Sequence, residues 1–170
     1  MALAVSPARI KDMPRLLAIY ASARRFMREN GNPGQWEEGY PSEEILEEDI
    51  RKGRLFVLRE EGTIHGVFVF SVEEEATYRV IENGAWLSDA PYGVIHRIAG
   101  DGERHGVFRA ALAYAEGITG HLRIDTHRDN RTMRRLIGEA GFQECGVIRV
   151  RNGSPRIAYE KLENSSERNE

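Results

Sequence analysis

The sequence predicts one mixed α/β domain, on three observations. Its 170 residues are about the length of a single domain, and 41% of them are apolar, which is enough for one sizeable core. Segments of strand periodicity alternate with helical segments in the middle of the chain. Neither an internal repeat nor a linker interrupts them. We therefore expect a domain over residues 1–162, followed by a polar, disordered tail at 163–170.

The first third of the chain predicts two helices. A short apolar stretch at Ala2–Val5 precedes Pro14, which opens a segment with apolar residues at helical spacing. Turn-forming residues follow at 30–34. Ser42 is the expected N-cap of a second helix, which runs to Lys52.

The period then changes to two, which is typical of strands. Leu55–Arg59 and Ile64–Val72 flank a charged, glycine-containing turn and predict an antiparallel hairpin. The segment from Glu73 to Asp89 is ambiguous. Strands and helices are then expected in this order: strand Tyr92–Ala99, a helix from Val107, strand Leu122–Asp125, helix Asn130–Ala140, strand Gln143–Val150 and strand Ile157–Lys161.

Charge and cysteine content exclude several classes of function. The 24 basic and 27 acidic residues give a net charge of -3, which disfavours a dedicated nucleic-acid-binding protein. The single cysteine, Cys145, excludes an intrachain disulfide and any zinc site that needs two thiolates. The apolar runs are too short for a spanning helix or a signal peptide. We expect a cytoplasmic protein with neither nucleic-acid nor membrane partners.

Three glycines lie in the segment Gly100–Gly106, which joins a predicted strand to a predicted helix and contains Arg104 and His105. Backbone N–H groups at such a helix start can hold phosphate oxygens. The segment has neither the Walker spacing nor the dinucleotide-binding spacing of glycines. An ordinary strand-to-helix turn is an equally good interpretation.

Two further segments place polar residues in or beside predicted strands. The run from Arg123 to Asn130 lies at the end of a strand, where open α/β sheets build binding sites. Asn130 is equally suited to cap the following helix. His96 and Arg97 interrupt an apolar strand, so one of them must face the core or a cleft. The plainer interpretation is that the inward-facing residue is structural and has a paired charge.

The other histidines and Cys145 do not predict a metal site. The five histidines lack the spacing of metal ligands, and we expect His65 and His121 at the surface. Cys145 is expected to pack as a small apolar residue. Four aromatic residues in glycine- and proline-bearing segments suit either a core or the wall of a ligand cleft: Trp36, Tyr40, Trp86 and Tyr92.

Several runs carry a family resemblance. They are Tyr-Gly-Val-Ile-His-Arg-Ile-Ala at 92–99, Leu-Arg-Ile-Asp-Thr-His-Arg-Asp-Asn at 122–130, Gly-Phe at 141–142, Cys-Gly-Val-Ile at 145–148 and Gly-Ser-Pro-Arg-Ile-Ala-Tyr at 153–159. Together with the order of elements, they resemble the GNAT family of acyl-CoA-dependent N-acetyltransferases over about residues 2–162. The narrower likeness is to a bacterial subgroup whose substrates are largely unassigned.

The resemblance implies a single-domain GNAT fold of the α/β (α+β) class. Its sheet would have about seven strands, mostly antiparallel, with helices on both faces. Two parallel strands, here Tyr92–Ala99 and Leu122–Asp125, would splay apart. The pantetheine arm of acetyl-CoA would pair with backbone groups near Ile98 and Ala99. The start of the fourth helix, with Asn130 and Met133, would contact the same arm.

The pyrophosphate of acetyl-CoA would lie on the family's loop pattern Arg/Gln-x-x-Gly-x-Gly/Ala, which aligns with residues 103–108. The implied contacts are Arg104, His105, Gly106, Val107, Phe108 and Arg109. Two positions depart from the pattern, because Glu103 stands at the basic position and Phe108 at the small one. Arg104 would then supply the positive charge from the next position, while Phe108 would crowd the pyrophosphate.

Acetyl transfer needs a neutral amine and a proton for the departing thiolate. An alkylamine is mostly charged at pH 7, so we expect His96 to act as base through a water molecule. The family's usual acid is a tyrosine in the fourth helix, where this sequence has Ile137. The acid is therefore open among water, His127, Tyr159 and Cys145.

The expected function is direct transfer of an acetyl group from acetyl-CoA to a primary amine of a small molecule or peptide. The acceptor pocket would include Trp36, Tyr40 and Trp86, because the family draws that pocket from the first two helices and their loop. A covalent Cys145 intermediate is the minor variant. The alternative is a catalytically silent GNAT-fold module that binds acyl-CoA as a sensor, which Ile137 and Phe108 motivate. The sequence leaves open whether the protein is a homodimer.

Overall fold

The computed structural model describes residues 2–163, so almost all of the expected polar tail lies outside the described residues. Within this range the chain forms four α-helices and seven strands. The helices are α1 (Met13–Glu29), α2 (Glu43–Arg51), α3 (Val107–Glu116) and α4 (Arg131–Glu139). The strands are β1 (Ala4–Pro7), β2 (Leu55–Glu60), β3 (Thr63–Ser71), β4 (Gly93–Gly100), β5 (His121–Thr126), β6 (Gln143–Arg149) and β7 (Pro155–Leu162).

All seven strands belong to one open, mixed sheet. Their order is β1-β2-β3-β4-β5-β7-β6. The pairs β1–β2, β2–β3, β5–β7 and β6–β7 are antiparallel, whereas β4 and β5 are parallel. The structure therefore confirms the expected single α/β domain, with a mostly antiparallel sheet and one parallel pair. The parallel register contains two residue pairs, Gly93 with Leu122 and Val94 with Arg123, and ends there.

Local sequence signals give most of the element boundaries. Ser42 caps α2, since its Oγ accepts a hydrogen bond from the Ile45 amide at 3.3 Å. Pro14 lies in the first turn of α1, and the predicted hairpin is β2–β3. The first strand overlaps the short apolar stretch at Ala2–Val5 and pairs with β2.

The ambiguous segment before β4 contains a short 3-10 turn at Ala76–Tyr78. An isolated bridge joins Glu82 to Val147 of β6. Gly84 lies so close to the chain that a Cβ there would stand 1.9 Å from the carbonyl oxygen of Cys145. Long-range contacts thus order this segment, which explains why its local periodicity is uninformative.

The chain divides into two compact units, residues 2–71 with 95–114 and residues 72–94 with 115–163. In the first unit, Leu16 and Tyr20 of α1 and Leu46 of α2 pack with apolar residues of β2 and β3. The core of the second unit is formed by four buried residues, which are Tyr78, Val94, Ile148 and Ala158. None of the helices between residues 2 and 163 has both the length and the apolar character needed to cross a bilayer.

Candidate active site

The β4 strand is irregular at Arg97, which has a φ of 45° in the left-handed region. Two hydrogen bonds hold this conformation. Arg97 Nη2 donates to Asp49 Oδ2 at 2.6 Å, and the Tyr20 hydroxyl donates to the Arg97 carbonyl oxygen at 2.7 Å. Arg97 is thus the paired structural residue expected in this strand. The distortion lies between His96, which is partly buried, and the implied pantetheine-binding residues at 98–99.

The segment between β4 and α3 has the backbone needed to hold an anion. Gly102 and Gly106 adopt φ values of 80° and 93°, which turn the chain tightly before the helix begins at Val107. The first amides of a helix have no intrahelical acceptor, so those of α3 are available to a ligand. Phe108 is only 8% exposed. Its ring is enclosed by protein and does not stand free on the loop surface.

The charged side chains of this segment are already engaged. Arg104 donates from Nε to the carboxylate of Glu60, and from Nη1 to the His105 carbonyl oxygen at 2.5 Å. The hydrogen bond from Arg104 lowers the pKa of Glu60. Arg104 is therefore present at the phosphate-binding loop, but an anionic ligand would have to compete with Glu60 for its charge.

Asp101 organises the same segment. Its Oδ1 accepts hydrogen bonds from the backbone amides of Glu103 and Arg104 at 2.9 and 3.3 Å. Its Oδ2 lies 2.6 Å from His65 Nδ1 and 2.9 Å from Arg15 Nη2. Asp101, His65 and Glu103 could in principle offer three ligand atoms to a metal ion. The Arg15 cation on the same carboxylate oxygen disfavours a divalent ion there.

In the second unit, the end of β5 carries His127 and Asn130. His127 Nδ1 accepts the backbone N–H of Asp129 at 3.0 Å. Burial, together with the nearby Arg156 cation, lowers the pKa of His127. Its neutral form is therefore favoured, with the ring proton on Nε2. Asn130 is the N-cap of α4, because its Oδ1 accepts the Met133 amide at 3.0 Å.

Tyr159 lies on β7, between Ile124 of β5 and Glu144 of β6 in the sheet register. It is 5% exposed, and burial raises the pKa of its hydroxyl. Arg134 Nε lies 3.3 Å from the hydroxyl oxygen and partly opposes this shift. Tyr159 thus keeps its proton at neutral pH and can donate it.

Solved structures show the same architecture. A GNAT-family acetyltransferase from Streptococcus agalactiae is 28% identical, with 96% of each chain covered and a TM-score of 0.80. The chain thus has the fold of the GNAT-family acetyltransferases and is similar to this one in sequence. A GNAT-family acetyltransferase from Listeria monocytogenes, at 19% identity and a TM-score of 0.70, covers 96% of this chain and 98% of its own.

A ribosomal-protein-alanine N-acetyltransferase from Brucella melitensis shares the fold at 20% identity and a TM-score of 0.61, over 95% of this chain and all of its own. No family model matches the sequence, and no curated protein matches it. The family assignment therefore depends on three-dimensional likeness. Acetyl transfer is the reaction class that it supports.

The residues expected to form the acceptor pocket fall in both units. In the first unit, the Trp36 ring packs edge-on against Tyr20 and Tyr40, at centroid distances of 5.7 and 6.1 Å. In the second unit, Trp86 donates from Nε1 to the Tyr78 carbonyl oxygen at 2.8 Å and lines a cavity of about 480 Å³. Trp36 and Tyr40 thus form one aromatic group, and Trp86 belongs to another.

The expectation that His121 and His65 lie at the surface is wrong. His121 is 7% exposed, and its Nε2 lies 2.6 Å from Oε2 of the fully buried Glu160. Arg123 Nε donates to the same oxygen at 2.6 Å. His65 is partly buried against Asp101. The partners are 39 and 36 residues apart in the sequence, so no local pattern signals either pair.

The structure also explains two other positions. Ile137 is fully buried in α4, so the place of the family's usual tyrosine is a packing position in this chain. Cys145 is 7% exposed, and burial raises the pKa of its thiol. Both features agree with the expectation that Cys145 packs, and they weigh against its use as a nucleophile.

Proposed function

We propose that this protein transfers the acetyl group of acetyl-CoA to a primary amine of a small molecule or peptide, by direct transfer. The likeness to a GNAT-family acetyltransferase over 96% of both chains is the observation that carries the proposal. Two local features support it. They are the distorted backbone of β4 at Arg97 and the glycine-containing turn into α3.

Acetyl-CoA, as co-substrate, would supply an activated thioester. The residues present fit its binding. The parallel register ends at Val94, so we assign the backbone groups of Ile98 and Ala99 to the pantetheine arm. The first amides of α3, at Val107, Phe108 and Arg109, are assigned to the pyrophosphate, with Gly106 allowing its close approach.

The side chains of Arg104 and His105 would complete the pyrophosphate site. Asn130 and Met133, at the start of α4, are assigned to the pantetheine arm.

The acceptor amine must lose a proton before it can attack. Model alkylamines have pKa values near ~10.4, so only a small neutral fraction exists at pH 7. His96 is partly buried in β4, next to the distorted residue, and we assign it as the base that takes this proton through a water molecule. Trp36, Tyr40 and Trp86 are proposed to contact the acceptor.

The departing thiolate must gain a proton. Tyr159 is the better proton donor of the two candidate side chains, because its hydroxyl is protonated at neutral pH, whereas the lowered pKa of His127 favours the neutral ring. His127 is suited to a different task. Its Nδ1 already accepts the Asp129 amide, so the imidazolium would lose that hydrogen bond. We assign the neutral His127 ring as a hydrogen-bond donor through its Nε2–H group.

The test begins with calorimetric titration of the purified protein by acetyl-CoA, with ATP as comparator. We expect micromolar binding of acetyl-CoA and none of ATP. An amine panel is then screened for CoA release. On the acceptor found, His96→Ala should lower kcat by about 10²-fold, the usual contribution of one acid–base group. Glu139→Ala, which removes an exposed side chain at the end of α4, is the control.

Each result separates the proposal from its alternative. Binding of acetyl-CoA without release of CoA over the whole amine panel would favour the catalytically silent module. Unchanged kcat in His96→Ala would remove His96 as the base. The variants Tyr159→Phe and His127→Gln then distinguish the two candidate donors. Where protonation of the thiolate limits the rate, only the variant that lacks the true donor should have a lower kcat.

A further inference from the structure

The cavity of about 480 Å³ in the second unit is large enough for a small organic molecule. Its aromatic lining comes from Tyr78, Trp86 and Tyr92, and its deepest charged group is Arg123, which is 4% exposed. The first-unit aromatic group at Trp36 and Tyr40 does not contribute to it.

Arg123 is held rigidly within the cavity wall. Its guanidinium carbon lies 4.0 Å from the centroids of both Trp86 and Tyr92. Nε donates to Glu160 at 2.6 Å, and Nη2 donates to the Ser88 carbonyl oxygen at 2.6 Å. The group is thus fixed before any ligand arrives, which lowers the entropic cost of binding.

The third nitrogen of Arg123, Nη1, is available to a ligand. No residue in the described range 2–163 accepts a hydrogen bond from it, since the hydrogen bonds of Arg123 in that range use Nε and Nη2. Nη1 is also not fully buried. It is therefore accessible from the cavity that Arg123 lines. A ligand carboxylate is the natural acceptor for these two N–H groups.

The rim of the cavity has the opposite charge. Glu74 is neutralised by Arg79 at 2.9 Å. Glu73 and Asp89 also line the cavity, are exposed, and form no ion pair within the described part of the chain. A simple anion would be repelled by these two carboxylates, whereas a simple cation would leave Arg123 Nη1 unsatisfied.

We propose that this cavity binds a zwitterionic α-amino acid with an apolar side chain. The ligand's carboxylate accepts from Arg123 Nη1, its ammonium group lies toward Glu73 and Asp89, and its side chain packs among the aromatic walls. The inference goes beyond acetyl transfer, because it concerns binding alone and does not require acetyl-CoA.

The test uses calorimetric titration without acetyl-CoA, with three matched probes. L-Phenylalanine has both charges, its amide lacks the carboxylate, and 3-phenylpropanoate lacks the ammonium group. We expect L-phenylalanine to bind one site per chain at least about tenfold more tightly than either analogue. The Trp86 indole N–H resonance, assigned with a Trp36→Phe variant, should shift as that site fills.

Variants at the exposed rim keep the test independent of folding. The double variant Glu73→Gln, Asp89→Asn should weaken binding of L-phenylalanine several-fold, while Glu139→Gln on α4, which does not line the cavity, should not. Arg123→Lys should lose the preference for L-phenylalanine over its amide. If it fails to fold, the rim variants and the three probes decide the question.

Three results would overturn the proposal. They are equal affinity for the three probes, no saturable binding up to about 10 mM, and saturable binding that leaves the Trp86 resonance unmoved. Each can occur while the protein still acetylates an amine. Failure here is therefore distinct from failure of the proposed transferase function.

Discussion

Asp49, on α2, is completely buried and binds Arg97 Nη2 through one carboxylate oxygen at 2.6 Å. Its other oxygen accepts from Arg54 Nε at 2.7 Å. Arg97 has a left-handed backbone conformation within β4. The Asp49 carboxylate therefore both pairs with the Arg97 charge and helps to hold the irregular part of this strand. The Arg97 Nε is buried without a partner, so the guanidinium depends strongly on Asp49.

Asp49→Asn should destabilise the fold by about 3 kcal/mol, since it leaves the largely buried Arg97 guanidinium without its carboxylate partner. Urea unfolding monitored by circular dichroism measures the change. Glu48→Gln is the matched control, one residue earlier on α2. Its i,i+4 pair with Lys52 is exposed, so its effect should be too small to resolve. Equal effects of the two variants would contradict the structural role given to Asp49.

Gly84 allows the closest backbone approach in the second unit. A Cβ there would lie 1.9 Å from the Cys145 carbonyl oxygen, and that backbone cannot move away as a flexible side chain could. Gly84→Ala should therefore destabilise by more than about 2 kcal/mol. Gly138→Ala makes the same chemical change in α4, where a Cβ meets nothing within 4 Å, and should stabilise by about 0.5–1 kcal/mol. Thermal unfolding of both variants tests the contrast.

The sequence predicts the fold wherever local chemistry decides the structure. Ser42 at a helix start and the turn between Leu58 and Ile64 are examples, because capping and hairpin chemistry act within a few residues. The segment containing Trp86 was ambiguous for the opposite reason. Its order depends on contacts with residues about 60 positions away, such as Cys145, which no periodicity encodes.

The same distinction applies to the candidate site. Capping by Asn130 is one of the two roles that the sequence leaves open, and it is visible there because the partner is three residues away. Glu160 was not identified at all, although it anchors both His121 and Arg123. Its position between apolar and basic residues on β7 resembles any strand end. Only alternation on that strand, which places Glu160 opposite Tyr159, could have suggested a buried carboxylate.

His127 should make stability depend on pH. Its pKa in the fold lies below the ordinary 6.5, chiefly because of burial. The unfolded chain therefore binds a proton first as the pH falls below about 6.5, so stability from the neutral ring is present above that value and lost below it. The free energy of unfolding of the wild type should fall more between pH 7.5 and 5 than that of His127→Gln. A parallel fall in the two proteins would contradict the lowered pKa.

Cys145 should react very little with thiol reagents in the folded protein. It is 7% exposed, and burial raises its pKa, so little thiolate is available at pH 8. Reaction with an aromatic disulfide reagent should yield far less than one thiol per chain in buffer, and one thiol in urea. Cys145→Ser should keep its acetyl-transfer rate. Labelling of one thiol per chain in the native protein would contradict this prediction and would favour the mechanism with a covalent Cys145 intermediate.

Glu60 holds the Arg104 guanidinium, and the effect of removing this contact can be predicted if the protein uses acetyl-CoA as proposed. Glu60→Gln removes the carboxylate that competes for the guanidinium, so Arg104 pairs more readily with a pyrophosphate. We expect acetyl-CoA to bind several-fold more tightly, with a steeper dependence on salt concentration. Calorimetric titration at two salt concentrations measures both effects.

Glu61→Gln is the matched control for this change. It removes the same charge from the adjacent turn position, and Glu61 forms no ion pair within residues 2–163. A general effect of net charge would tighten binding equally in both variants, and it would persist in the double variant Glu60→Gln, Arg104→Gln. A gain confined to Glu60→Gln and abolished by removing Arg104 would assign the basic position of the loop to Arg104. The aligned Glu103 would then take no part in binding the pyrophosphate, because its negative charge opposes that of the ligand.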